Sequence, residues 1–225
     1  MKDVDFFPSS SRGAEERRTL AEAILRGSAV SASYLDFGYD YFDNPAHGVG
    51  YGSYRYDGRY AEVAQRMVDH YGLKPGDRVL EIGCAKGFLL VEFLKLDLEV
   101  AGFDVSDYAV SNSHPQVRPY IRNAPAVAMP FPDGHFQLVI GKEVLPHVPR
   151  ADLERTVKEC VRVSSGNLFF EIQCGTTERE LRYMQAWDRT HQVCETPQWW
   201  DEMFARVGYP GDVHYKVLIP EGEAV

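Results

Sequence analysis

The apolar positions of this 225-residue chain change period several times, and each change marks an element. Arg78-Val79-Leu80-Glu81-Ile82 is short, apolar and partly β-branched, as a strand buried on both faces of a parallel sheet requires. A helix follows over about Gly87 to Leu96, with Phe88, Leu89, Val91, Phe93 and Leu94 apolar. Glu99 to Phe103 reads as a second strand, Phe136 to Ile140 as a buried strand, and Leu168 to Gln173 as the fifth. Helical spacing runs through Ala14 to Leu25, Tyr60 to Tyr71, Ala151 to Val163 and Thr177 to Trp187. Thr196 suits an N-cap and Pro197 the first position of a further helix, which ends at Val207-Gly208-Tyr209-Pro210-Gly211. Val213 to Ile219 is a last strand, expected in an antiparallel edge pair, and the first twelve residues read as a loose arm. Strands alternating with helices predict an α/β fold with ligands at the carboxyl ends of the strands.

One stretch breaks the pattern. From Tyr34 to Tyr60 the chain carries too many aromatics and glycines for an ordinary helix, as in Gly50-Tyr51-Gly52-Ser53-Tyr54-Arg55-Tyr56-Asp57-Gly58-Arg59-Tyr60. The expected organisation is an N-terminal extension over residues 1–70 packed on a core of 71–225.

The chemistry concentrates between the first two strands. Gly83 and Gly87 bracket a tight turn at a helix start, where glycine permits positive φ and free N–H groups face outward. Asp104 ends the second strand, where a carboxylate can accept two hydrogen bonds from ribose hydroxyls. A dinucleotide fingerprint needs three glycines, and the corresponding residues here are Gly83, Ala85 and Phe88. Two of the three fail, which counts against an NAD-dependent oxidoreductase.

The turn Glu81-Ile82-Gly83-Cys84-Ala85-Lys86-Gly87, with Asp104 downstream, resembles the first motif and acidic loop of class I S-adenosylmethionine-dependent methyltransferases of the bacterial small-molecule type. Met129-Pro130-Phe131-Pro132-Asp133-Gly134-His135-Phe136 and Gly141-Lys142-Glu143-Val144-Leu145-Pro146-His147-Val148 resemble that family's turn before, and segment after, the fourth strand. The resemblance covers about Tyr71 to Arg162. It implies a doubly wound, Rossmann-like sheet of seven strands and an aromatic N-terminal lid. It also implies S-adenosylmethionine as cofactor, held by Glu81, Gly83, Cys84, Ala85, Gly87, Asp104, Val105, Gly141 and Lys142. The acid that often holds the adenine is missing, and Asn123 and Ala124 stand near its place. Tyr51, Tyr56 and Arg59 are expected to reach the methionine carboxylate from the lid.

For the transfer itself, His147 is the candidate base and Glu143 a candidate holder of a cationic acceptor, or a contact to backbone. Tyr54, Tyr183, Trp187 and His191 are candidate acceptor contacts, and Trp199 and Trp200 read as core. His191 and Glu195 have helical spacing, but Thr196-Pro197 points to a loop there, and no recognised metal-ligand pattern includes them or Asp188, so no metal is expected.

Composition narrows the partners. A net charge of −9 argues against an extended phosphate-tracking surface, so nucleic acid is not expected. No apolar run approaches the ~20 residues of a membrane span, and Cys84, Cys160, Cys174 and Cys194 lack metal spacing and read as reduced thiols. A cytoplasmic enzyme acting at O or N of a small polar metabolite, sugar or natural-product intermediate is expected, and a homodimer is compatible with the sequence. The rivals are a silent S-adenosylmethionine-binding protein, the oxidoreductase, and an interaction module with an empty site.

Overall fold

The structure is a computed structural model that describes residues 1–7, 13–29 and 31–221. Its strands are β1 (Arg78–Ile82), β2 (Glu99–Asp104), β3 (Ile121–Asn123), β4 (Phe136–Lys142), β5 (Ser164–Cys174) and β6 (Asp212–Val217). Its α-helices are α1 (Ala14–Leu25), α2 (Tyr39–Phe42), α3 (Ala61–Tyr71), α4 (Phe88–Lys95), α5 (Asp107–Ser111), α6 (Arg150–Val163), α7 (Glu178–Trp187) and α8 (Pro197–Val207). Thr196 caps α8 as its sequence predicts, its side chain accepting the Trp199 N–H. The short elements α2, α5 and β3 have too few residues to show a period, and the sequence pattern misses them.

The sheet runs β3-β2-β1-β4-β5-β6, and every neighbouring pair is parallel. Among the described residues it has six strands, where seven were expected. The expected antiparallel edge pair is also absent among them: α7 and α8 cross over between β5 and β6, and a crossover of that length returns the chain in the parallel sense. The first residues are not a loose arm. Val4 N–H donates to the Val213 carbonyl at 2.8 Å and Val213 N–H to that of Lys2 at 2.9 Å, which covers the β6 edge. Phe6 and Phe7 are buried, and Phe6 meets Phe169 edge-on at 5.0 Å. The rest of the expected arm, residues 8–12, lies outside the described residues.

Alternation along the strands builds two cores. Val79, Leu138, Ile140 and Phe169 pack with residues of α1, α3, α4 and α7. Leu80, Ile82, Val139 and Phe170 pack with residues of α6 and α8 on the other face. Strand order reverses at β1 and β4, and the crevice at their carboxyl ends is where such sheets bind ligands.

The Tyr34–Tyr60 segment lies over that crevice, with Tyr34, Tyr41, Phe42, Tyr54 and Tyr60 buried. A nearly buried ion pair ties it down. Lys86 Nζ, in the turn after β1, lies 2.7 Å from both Asp43 oxygens and donates to the Tyr54 carbonyl at 3.0 Å. Tyr108 Oη donates to Asp43 at 2.6 Å, and Ser106 Oγ to the Phe37 carbonyl at 2.6 Å.

Gly87 sits at φ +73°, and a Cβ there would lie 2.7 Å from both Ile121 Cδ1 and Val117 Cγ2. Gly87→Ala is therefore expected to cost about 1–3 kcal/mol, read as a lower urea midpoint.

Candidate functional site

A cavity of about 830 Å³ opens where β1 and β4 end, lined from the sheet by Ile82, Gly83, Ala85, Asp104, Val105, Lys142, Glu143 and His147. Its size is in the range of small-molecule sites. Two close approaches shape its floor. Gly83 is at φ +65°, and a Cβ on it would lie 2.3 Å from Val144 Cγ2. Ala85 and Glu143 hold positive φ of 48° and 52° without being glycine. Backbone strain of this kind persists where the surroundings over-determine it.

Asp104 joins the turn to the end of β2. Its Oδ2 accepts the Ala85 N–H at 2.7 Å and its Oδ1 that of Ser106 at 2.8 Å. Burial raises its pKa, and these two N–H groups oppose the rise. A carboxylate offers about four lone pairs, so capacity for two hydroxyls remains. Val105 beside it is 59% exposed, an apolar rim that a nucleoside base can cover.

Glu81 presents the other unfilled valence. It is 5% exposed, and its Oε2 is buried without a hydrogen-bond partner. Burial, partly offset by Lys142, pushes its carboxyl up to about 8. It lines a small recess with Tyr51, Tyr54, Tyr60, Gly83, Cys84 and Lys142. Orphaned carboxyl oxygens are costly unless a ligand completes them. A ligand carrying a ribose diol, an apolar base and an amino group fits this donor and acceptor set.

Beside the recess, Lys142 Nζ lies 2.9 Å from Glu143 and 3.5 Å from Glu171, and Lys216 Nζ lies 2.5 Å from Glu143. Burial would raise the Glu143 carboxyl, but the two lysines hold it well below the usual range. Glu143 is thus ionised and already paired twice, which leaves little charge for a cationic acceptor. Nearby, His147 lines the cavity with its ring edge-on to Phe37 and Tyr41 and stacked on His191 at 4.5 Å.

The structure assembles most of the sequence candidates and sets others aside. Tyr51, Tyr54, Arg59, Ala124 and Trp187 line the cavity. Arg59 also holds Asp57 in a two-pronged pair, with Nη2 2.6 Å from Oδ2. Tyr56 turns away and donates to Glu92 on α4 at 2.5 Å. Tyr183 donates to Glu22 of α1 at 2.9 Å and lies outside the cavity lining. Asn123 is exposed and donates to the Asp104 carbonyl, and residues 124–127 line the cavity in its place. Gly87 and Gly141 are packing glycines: a Cβ on Gly141 would meet the Phe170 ring at 2.7 Å. Cys84 is buried, which pushes its thiol up, and a Cβ on Gly102 would lie 2.7 Å from its Sγ. His191 is 4% exposed, behind His147 rather than in the cavity lining. Glu195 pairs with Arg150, apart from the group formed by His147, Asp188 and His191.

Sequence reading missed Lys216, Thr190, Gln173 and Phe37, all in the lining. Only Thr190 leaves a trace, as the third residue of an Asp-x-Thr turn whose Asp188 Oδ1 accepts the Thr190 N–H at 2.9 Å.

A family model described as a methyltransferase domain matches residues 80–170. The 27-O-demethylrifamycin SV methyltransferase of Amycolatopsis mediterranei is 28% identical over 109 residues, 45% of this chain and 39% of that one. The ubiquinone biosynthesis O-methyltransferase of Sinorhizobium medicae is 29% identical over 125 residues, half of each chain. The match therefore spans half or less of these relatives' own length. A solved S-adenosylmethionine-dependent methyltransferase from Archaeoglobus fulgidus shares the fold, with a TM-score of 0.54 at 19% identity over 66% of this chain and 68% of that one. The turn, the acid and the sheet order agree with these likenesses, and residues 80–170 are those of a class I S-adenosylmethionine-dependent methyltransferase domain, a family and fold that imply S-adenosylmethionine as cofactor.

Proposed function

We propose that this protein methylates a hydroxyl oxygen of a small molecule. The observation that supports the cofactor half of this reading is the orphaned Glu81 Oε2 beside the glycine turn, which would receive the α-ammonium of the methionine moiety. When bound, the cofactor supplies a methyl carbon made electrophilic by its sulfonium.

The chain's residues would do the rest. Asp104 would hold the ribose hydroxyls, Val105 and residues 124–127 would cover the adenine, and Tyr51, Tyr54 and Arg59 would close over the methionine end as a lid. The aromatic wall, with Phe37, Tyr41 and Trp187, would exclude water and orient the acceptor, the main work of an in-line displacement. Oxygen is favoured over a charged amine because Glu143 is neutralised by Lys142 and Lys216, while His147 stands in the wall as a base. Relatives named for O-methylation support the same choice.

Calorimetric titration with S-adenosylmethionine, S-adenosylhomocysteine and NAD tests the reading: saturable micromolar binding of the two sulfur nucleosides is expected. Binding of NAD alone, or of none, sinks it. Asp104→Ala should weaken S-adenosylhomocysteine binding tenfold or more, through the loss of two charge-assisted hydrogen bonds.

Glu81 gives a pH signature. In the unfolded chain a glutamate ionises near 4.3, whereas the folded protein keeps this proton up to about pH 8. The unfolded state binds fewer protons across that window, so this group's contribution to stability is whole below it and falls as pH rises through it. The melting temperature of Glu81→Gln relative to the parent, both ligand-free, should therefore rise from pH 5 to pH 8. At pH 7 an ammonium beside Glu81 should expel its proton. Binding enthalpies in buffers of different ionisation heat should then report release of up to about one proton, lost in the variant.

A further inference from the structure

His147 is backed by groups whose hydrogen bonds run one way. Its Nδ1 lies 2.9 Å from Thr190 Oγ1, and that hydroxyl lies 2.6 Å from Asp188 Oδ1. The same Asp188 oxygen accepts the Thr190 backbone N–H at 2.9 Å, which fixes the Asp-x-Thr turn. Asp188 is 1% exposed and Thr190 4%, so water does not compete for these bonds. A hydroxyl has a single proton to give. The 2.6 Å contact, short as hydroxyl-to-carboxylate bonds are, spends it on Asp188. Thr190 Oγ1 therefore meets His147 as an acceptor, so His147 Nδ1 carries the ring proton and Nε2 keeps the lone pair.

We infer that Asp188 and Thr190 are positioning residues that fix His147 as its Nδ1–H tautomer and so make Nε2 the base for the acceptor hydroxyl. The inference rests on the oxygen-directed methyl transfer proposed above. In that step the acceptor's O–H proton passes to Nε2 as an oxygen lone pair forms the C–O bond. The C–S bond breaks with its electron pair going to sulfur. The imidazolium left behind keeps its Nδ1–H on Thr190, with the Asp188 carboxylate one hydrogen bond further on.

The groups around the ring suit this role. The stacked His191 is held neutral, since burial and then the charge of His147 push its pKa down to about 4. The Tyr41 phenol, which also meets Thr190, is kept protonated chiefly by burial. Of the carboxylates that face this pair, Asp104 interacts through space with His147, and Glu143 with His191. Ligand atoms of His147, Asp188 and His191 lie within 4.8 Å of one another, close enough to suggest a cation. Both nitrogens of His191 and one oxygen of Asp188 are already engaged, however. His191 Nε2 lies 2.6 Å from Gln173 and Nδ1 3.3 Å from the Met184 carbonyl, and Asp188 Oδ1 serves Thr190 twice.

Long-range proton–nitrogen correlation spectra of the 15N-labelled, ligand-free protein test the relay without needing an acceptor. At alkaline pH, His147 is expected to show a protonated Nδ1 and an unprotonated Nε2, the tautomer that free histidine disfavours. Thr190→Val should switch it to the Nε2–H form, and Thr190→Ser should restore the parent pattern. A parent protein already in the Nε2–H form overturns the inference even if Thr190→Val fails to fold, and so does a tautomer unmoved by that substitution. Added zinc or magnesium chloride that shifts the nitrogens of both His147 and His191 to metal-bound positions overturns it in favour of a cation site. Calorimetry with the sulfur nucleosides fails or succeeds independently, so loss of the relay and loss of the cofactor reading are told apart.

Discussion

The close approach of the turn after β1 to the segment after β4 sets the geometry of everything at the carboxyl end of the sheet. Gly83 has no room for a Cβ beside Val144, and that contact draws two chain segments far apart in sequence into one floor. Ala85, two residues on, gives its N–H to Asp104 and so aligns the ends of β1 and β2. Glu143, just before Val144, takes a left-handed conformation that a non-glycine residue adopts at a cost. The hydrophobic packing of both sheet faces supplies the stability against which this strain is held.

That floor carries charge in an uneven way. Burial holds Glu81 toward its neutral form, with one of its oxygens lacking a hydrogen-bond partner, while Glu143, just past the end of β4, stays ionised between two lysines. Two carboxyls, one on β1 and one just after β4, thus differ in protonation through their partners, burial being shared. A group left wanting in the free protein and completed by a ligand lowers stability and raises affinity by the same interaction.

The aromatic segment over the crevice follows the same logic at a larger scale. Its rings pack on one another and on Phe88, and its polar attachment runs through the Asp43–Lys86 pair into the glycine turn itself. The segment that walls the cavity and the turn that forms its floor therefore share one anchor. Fold and family set the location and the cofactor, whereas the side chains of such a wall differ freely among proteins of one fold.

Local order was legible in the sequence. The β1 run, the amphipathic helices and the Thr196-Pro197 helix start depend on residues near one another in the chain, and so does the glycine turn with Asp104 at the end of the next strand. Each is fixed by periodicity, capping or backbone sterics, which act over a few residues. What lay beyond it required contacts between distant segments. The parallel β6 and the anchoring of Phe6 and Phe7 against β5 depend on the two ends of the chain meeting. The turning of Tyr56 to Glu92, the pairing of Glu143 with Lys216 and the line from Asp188 through Thr190 to His147 join residues between two and 73 positions apart in arrangements no pattern announces. Their chemistry is set by burial and by direction of hydrogen bonds, and both are properties of the folded surroundings rather than of the residues themselves.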